Sequence, residues 1–284
     1  MLDIRKEVTD LQTMYSQTQT ERHSFLVIGP TGSGKTRLLE TCVRPIHVDS
    51  FDPRGTETLS RAIREGYVVA DTRFESEDPT DPSVFELWDL EYARRKKEGY
   101  FNYFGTYALD SFTTFSDAVM NYLLYGAPKG GSKRSGFDGR KADRSDLKTN
   151  YLAIPQENDY PIQMAILYNV VKDLMTLPCD VVLIGHTEDK KDKSGNVLGK
   201  GLYSTGKLAI RIPRLFEEVY IAKTKDSSEG PTFWLQTKPE GMLEAKTRLG
   251  REVFDFYEKP DILYLLKKAG KNPQHKPIVW KEEN

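Results

Sequence analysis

The sequence predicts an α/β fold, a mostly parallel sheet with helices on both faces. Three observations predict it. Short apolar runs recur along the chain with almost no polar interruption, as in strands buried on both sides. Stretches of helical spacing or composition separate them, the alternation that builds parallel sheets. A glycine-rich turn, Gly29 to Thr36, follows the first of these runs directly.

The elements can be read in order. Ile4, Val8, Leu11 and Tyr15 fall at helical spacing, so a short amphipathic helix is expected within residues 2–15. Its apolar face is expected to pack on its own domain rather than on a neighbouring subunit. Phe25-Leu26-Val27-Ile28 reads as a buried strand, followed by the glycine turn and a helix from Lys35 to about Cys42. Residues 45–49 and 67–71 read as the second and third strands, separated by a helix-like stretch from Thr56 to Glu65. Residues 83–98 look helical, with Arg94-Arg95-Lys96-Lys97 on a solvated face.

Tyr107-Ala108-Leu109-Asp110 is a strand ending in a carboxylate, and a helix from Phe115 to Leu124 follows. Residues 126–150 lack an apolar period and read as a long loop. An amphipathic helix from Ile162 to Met175 precedes another buried strand at residues 180–185. A glycine- and lysine-rich stretch covers 187–207; late strands are expected near 219–221 and 232–235. The expected organisation is an N-terminal helical extension (1–22), a core (23–250) and a tail (251–284) with one short helix near Ile262 to Lys268.

Composition narrows the function classes. The 284 residues suffice for one large domain with small additions. A formal net charge of -1 means that any polyanion must be held by local patches. Cys42 and Cys179 lie far apart without a CxxC or Cys/His cluster, which argues for buried thiols rather than zinc. No run of about 18 apolar residues exists, so no membrane span is expected. Residues 1–20 lack the apolar centre of a signal peptide, and a cytoplasmic location is expected.

Gly29-Pro30-Thr31-Gly32-Ser33-Gly34-Lys35-Thr36 satisfies the pattern G-x-x-x-x-G-K-[ST]. Each residue type has a physical task. Glycines let the backbone curl so that N–H groups point at phosphate oxygens. The following helix aims its positive end at the same place. Lys35 would neutralise the β- and γ-phosphates of ATP, and the Thr36 hydroxyl would ligate Mg2+. A chance match in a chain of this length is roughly a one-in-a-hundred event, and the strand before it and helix after it reduce that further.

Such a site needs a second carboxylate on the metal side, at the end of a nearby strand. Asp110 fits, with Ser111 beside it; either could instead cap the next helix. Hydrolysis also needs a group that orients water. Asp49, Asp52, Asp71 and Glu75 all lie near strand ends and stay open as candidates, although Asp52-Pro53-Arg54-Gly55 is also a good turn. His186 follows its strand directly, at the edge where ligands of such sheets lie, and could sense the γ-phosphate.

These residues carry a resemblance. The loop Gly29–Thr36, then Ile46-His47-Val48-Asp49 with Gly55-Thr56-Glu57-Thr58-Leu59, then Ala108-Leu109-Asp110-Ser111-Phe112-Thr113, then Leu183-Ile184-Gly185-His186, resemble the RecA-like ATPases encoded by bacteriophages, a RecA/RadA core without extra domains. The resemblance spans about residues 23–250. Ala245-Lys246-Thr247-Arg248-Leu249-Gly250 is similar to the Lys-x-Arg-x-Gly element of RadA- and DnaB-type ATPases. The resemblance implies that Lys246 and Arg248 reach the γ-phosphate held by the next subunit, so that the active form is a ring or filament. One departure stands out: the RecA pattern has a glutamate just after the second strand, where this chain reads Asp49-Ser50-Phe51-Asp52.

The resemblance further implies that the loops after the carboxylate strand and after the sensing strand hold single-stranded DNA. Residues 129–148 carry seven basic and three acidic side chains, a net of +4; residues 186–207 carry five lysines and three acids, a net of +2. Phe137 and Tyr203 could offer stacking faces to bases. The expected function is therefore an ATPase acting on single-stranded DNA in recombination, annealing or replication, with single-strand-binding or replication proteins as further partners. A small-molecule kinase with 129–148 as its lid, and a non-hydrolysing ATP-binding switch or adaptor, stay open beside it.

Overall fold

The structure is a computed structural model, and it describes residues 3–18, 22–78, 82–125, 155–191, 194–195, 197–225, 227–228, 230–240, 245–250 and 252–280. In chain order these form α1 (Ile4–Thr18), β1 (Ser24–Gly29), α2 (Lys35–Leu38), β2 (Ile46–Ser50), α3 (Ser60–Arg64), β3 (Val68–Asp71), α4 (Val84–Lys97), β4 (Thr106–Asp110), α5 (Phe112–Tyr125), α6 (Asp159–Leu174), β5 (Asp180–Lys191), β6 (Val197–Leu202), α7 (Leu208–Arg211), β7 (Glu218–Lys225), β8 (Thr232–Gln236), β9 (Tyr257–Glu258) and α8 (Ile262–Lys268).

Eight strands form one path in the order β3-β2-β4-β5-β1-β7-β8-β9, and β6 pairs with β5 outside it. From β3 to β7 every pairing is parallel; β8 and β9 add antiparallel strands at one end. The α/β class with a mostly parallel, two-sided sheet is the class the sequence predicts. Alternate residues of β1 show why its run had to be unbroken. Leu26 and Ile28 enter the core shared with α4, α5 and α6, around Trp88, Phe115 and Leu167. Phe25 and Val27 enter the opposite core, with Leu38, Leu39 and Leu265. Both faces exclude water, so neither can be polar.

The register fixes what meets at the carboxyl end of the sheet. Gly29 lies opposite His186, and Ser50 lies opposite Asp110. A strand end thus delivers each of the loop, His186 and Asp110 to one edge.

Several expectations change. The helix after the glycine loop is α-helical only through Leu38, and a 3-10 turn continues it to Thr41. Within 187–207, residues 187–191 and 197–202 are strand rather than loop: β5 runs on to Lys191 and pairs antiparallel with β6. This ribbon is anchored by fully buried Leu202, and the charged and glycine residues Glu188, Asp189, Gly199, Lys200 and Gly201 beside it leave no apolar alternation to read. The apolar face of α1 does not pack on its own domain; Ile4, Val8, Leu11 and Met14 are all exposed. Beyond residue 250, Phe254, Ile262, Leu265 and Leu266 are buried in the same core as Phe25. Segment 129–148, with Phe137, lies outside the described residues. Among the described residues no helix is long and apolar enough to cross a membrane, and both cysteines are free and buried.

Candidate functional site

The loop after β1 is closed by its own residues. The Ser33 hydroxyl donates to the Pro30 carbonyl at 2.7 Å. Gly34 sits in the left-handed region at φ 80°, where a side chain would strain the backbone. At Gly29 the reason is space: a Cβ there would lie 2.8 Å from the Ala222 carbonyl oxygen and 2.7 Å from Ser33 Oγ. The first and third glycines of the motif therefore answer to different constraints, packing and conformation.

Lys35 folds back over the loop. Its Nζ donates to the carbonyl oxygens of Gly29 at 3.0 Å and Pro30 at 2.8 Å. Burial lowers its pKa, and the negative charges of Asp110 and Asp52 pull the other way. Both carboxylates are therefore close enough to act on this ammonium.

Thr36 meets Asp110 across the edge, its hydroxyl donating to Oδ2 at 2.6 Å. The other oxygen, Asp110 Oδ1, is buried and has no hydrogen-bond partner. Burial raises the Asp110 pKa to about 7; the Thr36 hydrogen bond and Lys35 oppose this, and Asp52 and Glu75 add to it. A hydroxyl and a carboxylate side by side, with one buried oxygen lacking a donor and other acids nearby, suit a hard divalent cation. The donor set fits Mg2+. The Asp110–Ser111 peptide bond is cis.

Of the four acidic candidates, two are elsewhere. Asp49 is fully buried, and both its oxygens are occupied: His47 Nε2 at 2.8 Å and Arg95 Nη1 at 3.2 Å meet one, Trp88 Nε1 at 2.9 Å and the Tyr107 hydroxyl at 2.7 Å the other. Asp71 is bound by Arg73 and Arg95. Burial alone would raise its pKa, but those hydrogen bonds hold it well below the carboxylate range. These two carboxylates brace β2, β3 and α4.

Asp52 and Glu75 remain. Asp52 Oδ1 accepts from the hydroxyls of Ser111, at 2.8 Å, and Thr114. Glu75 accepts from Ser50 Oγ at 2.8 Å, Thr56 Oγ1 at 3.0 Å and the Arg54 amide at 3.1 Å. Glu75 thereby ties both ends of the turn that carries Asp52. Sequence reading does not find this relation, because the hydroxyls that define it lie on separate elements, among them β2 and α5, until the fold collects them.

His186, opposite Gly29, donates its backbone N–H to Thr113 Oγ1 at 3.1 Å. Its pKa is lowered by burial and by Lys35, with Asp52 opposing. The ring is thus near both Lys35 and Asp52.

Lys246 and Arg248 are not part of this edge. Lys246 pairs with Val219 through the backbone, and its Nζ donates to the Pro213 carbonyl at 3.0 Å. Buried Glu218 accepts from the amides of Arg248 at 2.7 Å and Leu249 at 2.9 Å. Glu218 lies opposite Phe25, four residues before Gly29, so this segment sits about 13 Å down the sheet from the loop. Within one chain the two cations and the loop occupy opposite ends of the strands. The lysine-bearing ribbon is partly neutralised, with Lys200 3.7 Å from Asp189. Tyr203, at its end, is half-exposed, and its N–H donates to the His186 carbonyl at 2.8 Å.

Fold and loop together define an α/β protein of the P-loop class. No family model and no curated protein matches the chain. Among solved structures, a KaiC-like protein from the hyperthermophilic archaeon Pyrococcus horikoshii OT3 is similar over 79% of this chain and 83% of its own, with 10% identity and a TM-score of 0.39.

Proposed function

We propose that this chain is a RecA-like ATPase that binds ATP on Gly29–Thr36, hydrolyses it in a ring or filament, and acts on single-stranded DNA. The observation that carries the reading is the pairing of Thr36 with Asp110, whose second oxygen is buried without a donor. Mg2+ held by Thr36 and Asp110 would supply charge neutralisation at the phosphates. The chain's own groups do the rest. Lys35 exchanges its loop carbonyls for phosphate oxygens. Asp52, held by Ser111 and Thr114, orients the attacking water, and Glu75 fixes the turn beneath it. His186 meets the γ-phosphate as a hydrogen-bonding group.

Two features support assembly. Lys246 and Arg248 lie away from their own loop, which is where groups serving a neighbour's nucleotide would lie in a head-to-tail ring or filament. The exposed apolar residues of α1 offer surface to another subunit. The DNA part rests on the positive segments 129–148 and 187–207 and on Tyr203.

The test is ATP hydrolysis with and without single-stranded DNA, with Lys35→Ala as the blank. Stimulation by DNA that fades with salt is expected. If a subunit neutralises four phosphates, DNA affinity falls roughly fiftyfold between 50 and 200 mM salt. Turnover indifferent to DNA would remove the DNA role. ATP binding without turnover, with or without DNA, would leave a switch or adaptor.

A further inference from the structure

Phe233 touches the glycine loop from the side opposite Asp110. It lies on β8, facing Thr224 of β7. A Cβ built on Gly34 would sit 3.1 Å from Phe233 Cδ1, 3.5 Å from Cε1 and 3.6 Å from Cγ. The ring therefore packs against the backbone immediately before Lys35. It is nonetheless 37% exposed, and among the described residues no aromatic ring stacks on it. Alternation along β8 explains its direction. Leu235, two residues on, is buried in the core that contains Leu38 of α2, so Phe233 faces the same side, beyond the end of that core.

The strand order gives this position a meaning. Asp110 ends β4, two strands from β1 on one side; Phe233 is on β8, two strands from β1 on the other. On the ATP-binding reading above, the terminal phosphate lies on the β4–β5 side, near Asp110, Asp52 and His186. A triphosphate lying across the loop then leads its nucleoside toward β7 and β8. An aromatic face half open to solvent at that flank suits a flat heterocycle.

We propose that Phe233 is the stacking platform for the base of the bound nucleotide. This rests on the ATP-binding reading above and adds how the nucleoside end is held. Recognition by a π-face alone is tolerant of base identity, since every base offers one.

The experiment compares the full chain with Phe233→Ala, Phe233→Leu and Phe233→Trp, measuring the affinity of ATP and of inorganic tripolyphosphate, each with Mg2+. Tripolyphosphate makes the loop contacts but has no base. Phe233→Ala should weaken ATP about tenfold and change tripolyphosphate less than twofold. Phe233→Trp should restore ATP binding. Phe233→Leu keeps apolar bulk against Gly34 without a π-face and should behave like the alanine variant. An alanine variant with wild-type ATP affinity overturns the proposal. So does equal loss of both ligands, or a leucine variant that binds like wild type, because the ring would then only brace the loop. Lys35→Ala should lose both ligands. A wild-type chain that binds neither overturns the nucleotide reading itself, and this inference with it.

Discussion

The Thr36 hydroxyl hydrogen-bonds Asp110 at 2.6 Å although β5 separates β4, which ends in Asp110, from β1, which leads into the loop before Thr36. The bond holds one carboxylate oxygen and leaves the other buried without a donor. Such a carboxylate is a poor contributor to the ligand-free fold and a good cation ligand.

Its pKa, raised by burial to about 7, gives the first prediction. Between the unfolded value near 4 and about 7 the folded protein binds the extra proton, so this group's contribution to stability falls as pH rises through that window. Asp110→Asn should therefore raise the thermal midpoint of ligand-free protein by a few °C at pH 8, with little gain at pH 4. The same variant should lose Mg2+-dependent hydrolysis. In the wild type, MgATP affinity should weaken below pH 7, because the ligand must be ionised. A midpoint gain that grows toward pH 4 would contradict the sign.

Asp52 and Glu75 should separate kinetically. Asp52→Asn should lower kcat by about 100-fold with little change in KM, as loss of a water-orienting group does. Glu75→Gln weakens acceptance from Ser50, Thr56 and Arg54 and should cost kcat less. The thermal midpoint of Asp52→Asn should stay near wild type. Larger damage from Glu75→Gln, with Asp52→Asn active, would reverse the assignment.

Asp49 should prove structural. Asp49→Ala leaves Arg95, His47, Trp88 and Tyr107 facing a buried gap. Removing one partner of a buried ion pair typically costs about 3–5 kcal/mol, measurable as a lower urea midpoint. A near-neutral result would mean that Asp71 alone holds Arg95.

Subunit mixing tests Lys246 and Arg248. A Lys246→Ala, Arg248→Ala double variant should be inactive, and so should Lys35→Ala. Mixed in equal amounts, they should regain activity, because about a quarter of head-to-tail interfaces would pair an intact loop with intact cations. If the double variant retains full turnover, these cations serve no neighbour's nucleotide.

Much of the fold was legible because burial on both faces leaves a plain mark. The runs at 25–28, 107–110 and 181–184 could only be interior strands. The loop was legible for a different reason: its pattern Gly29, Gly34, Lys35 and Thr36 falls within eight consecutive residues, although the partners that Gly29 and Thr36 meet, Ala222 and Asp110, are far along the chain. The β5–β6 ribbon was not legible, since its mix of glycines and charged residues, such as Glu188, Asp189, Gly199 and Lys200, shows no apolar alternation. The apolar spacing of α1 showed a helix but not what its face would meet.

By itself, then, the sequence determined the parallel α/β class, the G-x-x-x-x-G-K-[ST] loop and the candidate carboxylate at the end of β4, all set by local backbone geometry or by unbroken apolar strands. Only the tertiary structure decided which acids share the edge. Asp49 and Asp52 are three residues apart, yet one is locked under α4 and the other faces the loop, because successive side chains leave a strand on opposite faces and the turn after Ser50 redirects the chain. Phe233, some 200 residues from Gly34 in sequence, reaches it only through the pairing of β8 with β7. Strand order, a property of the whole chain, places it there.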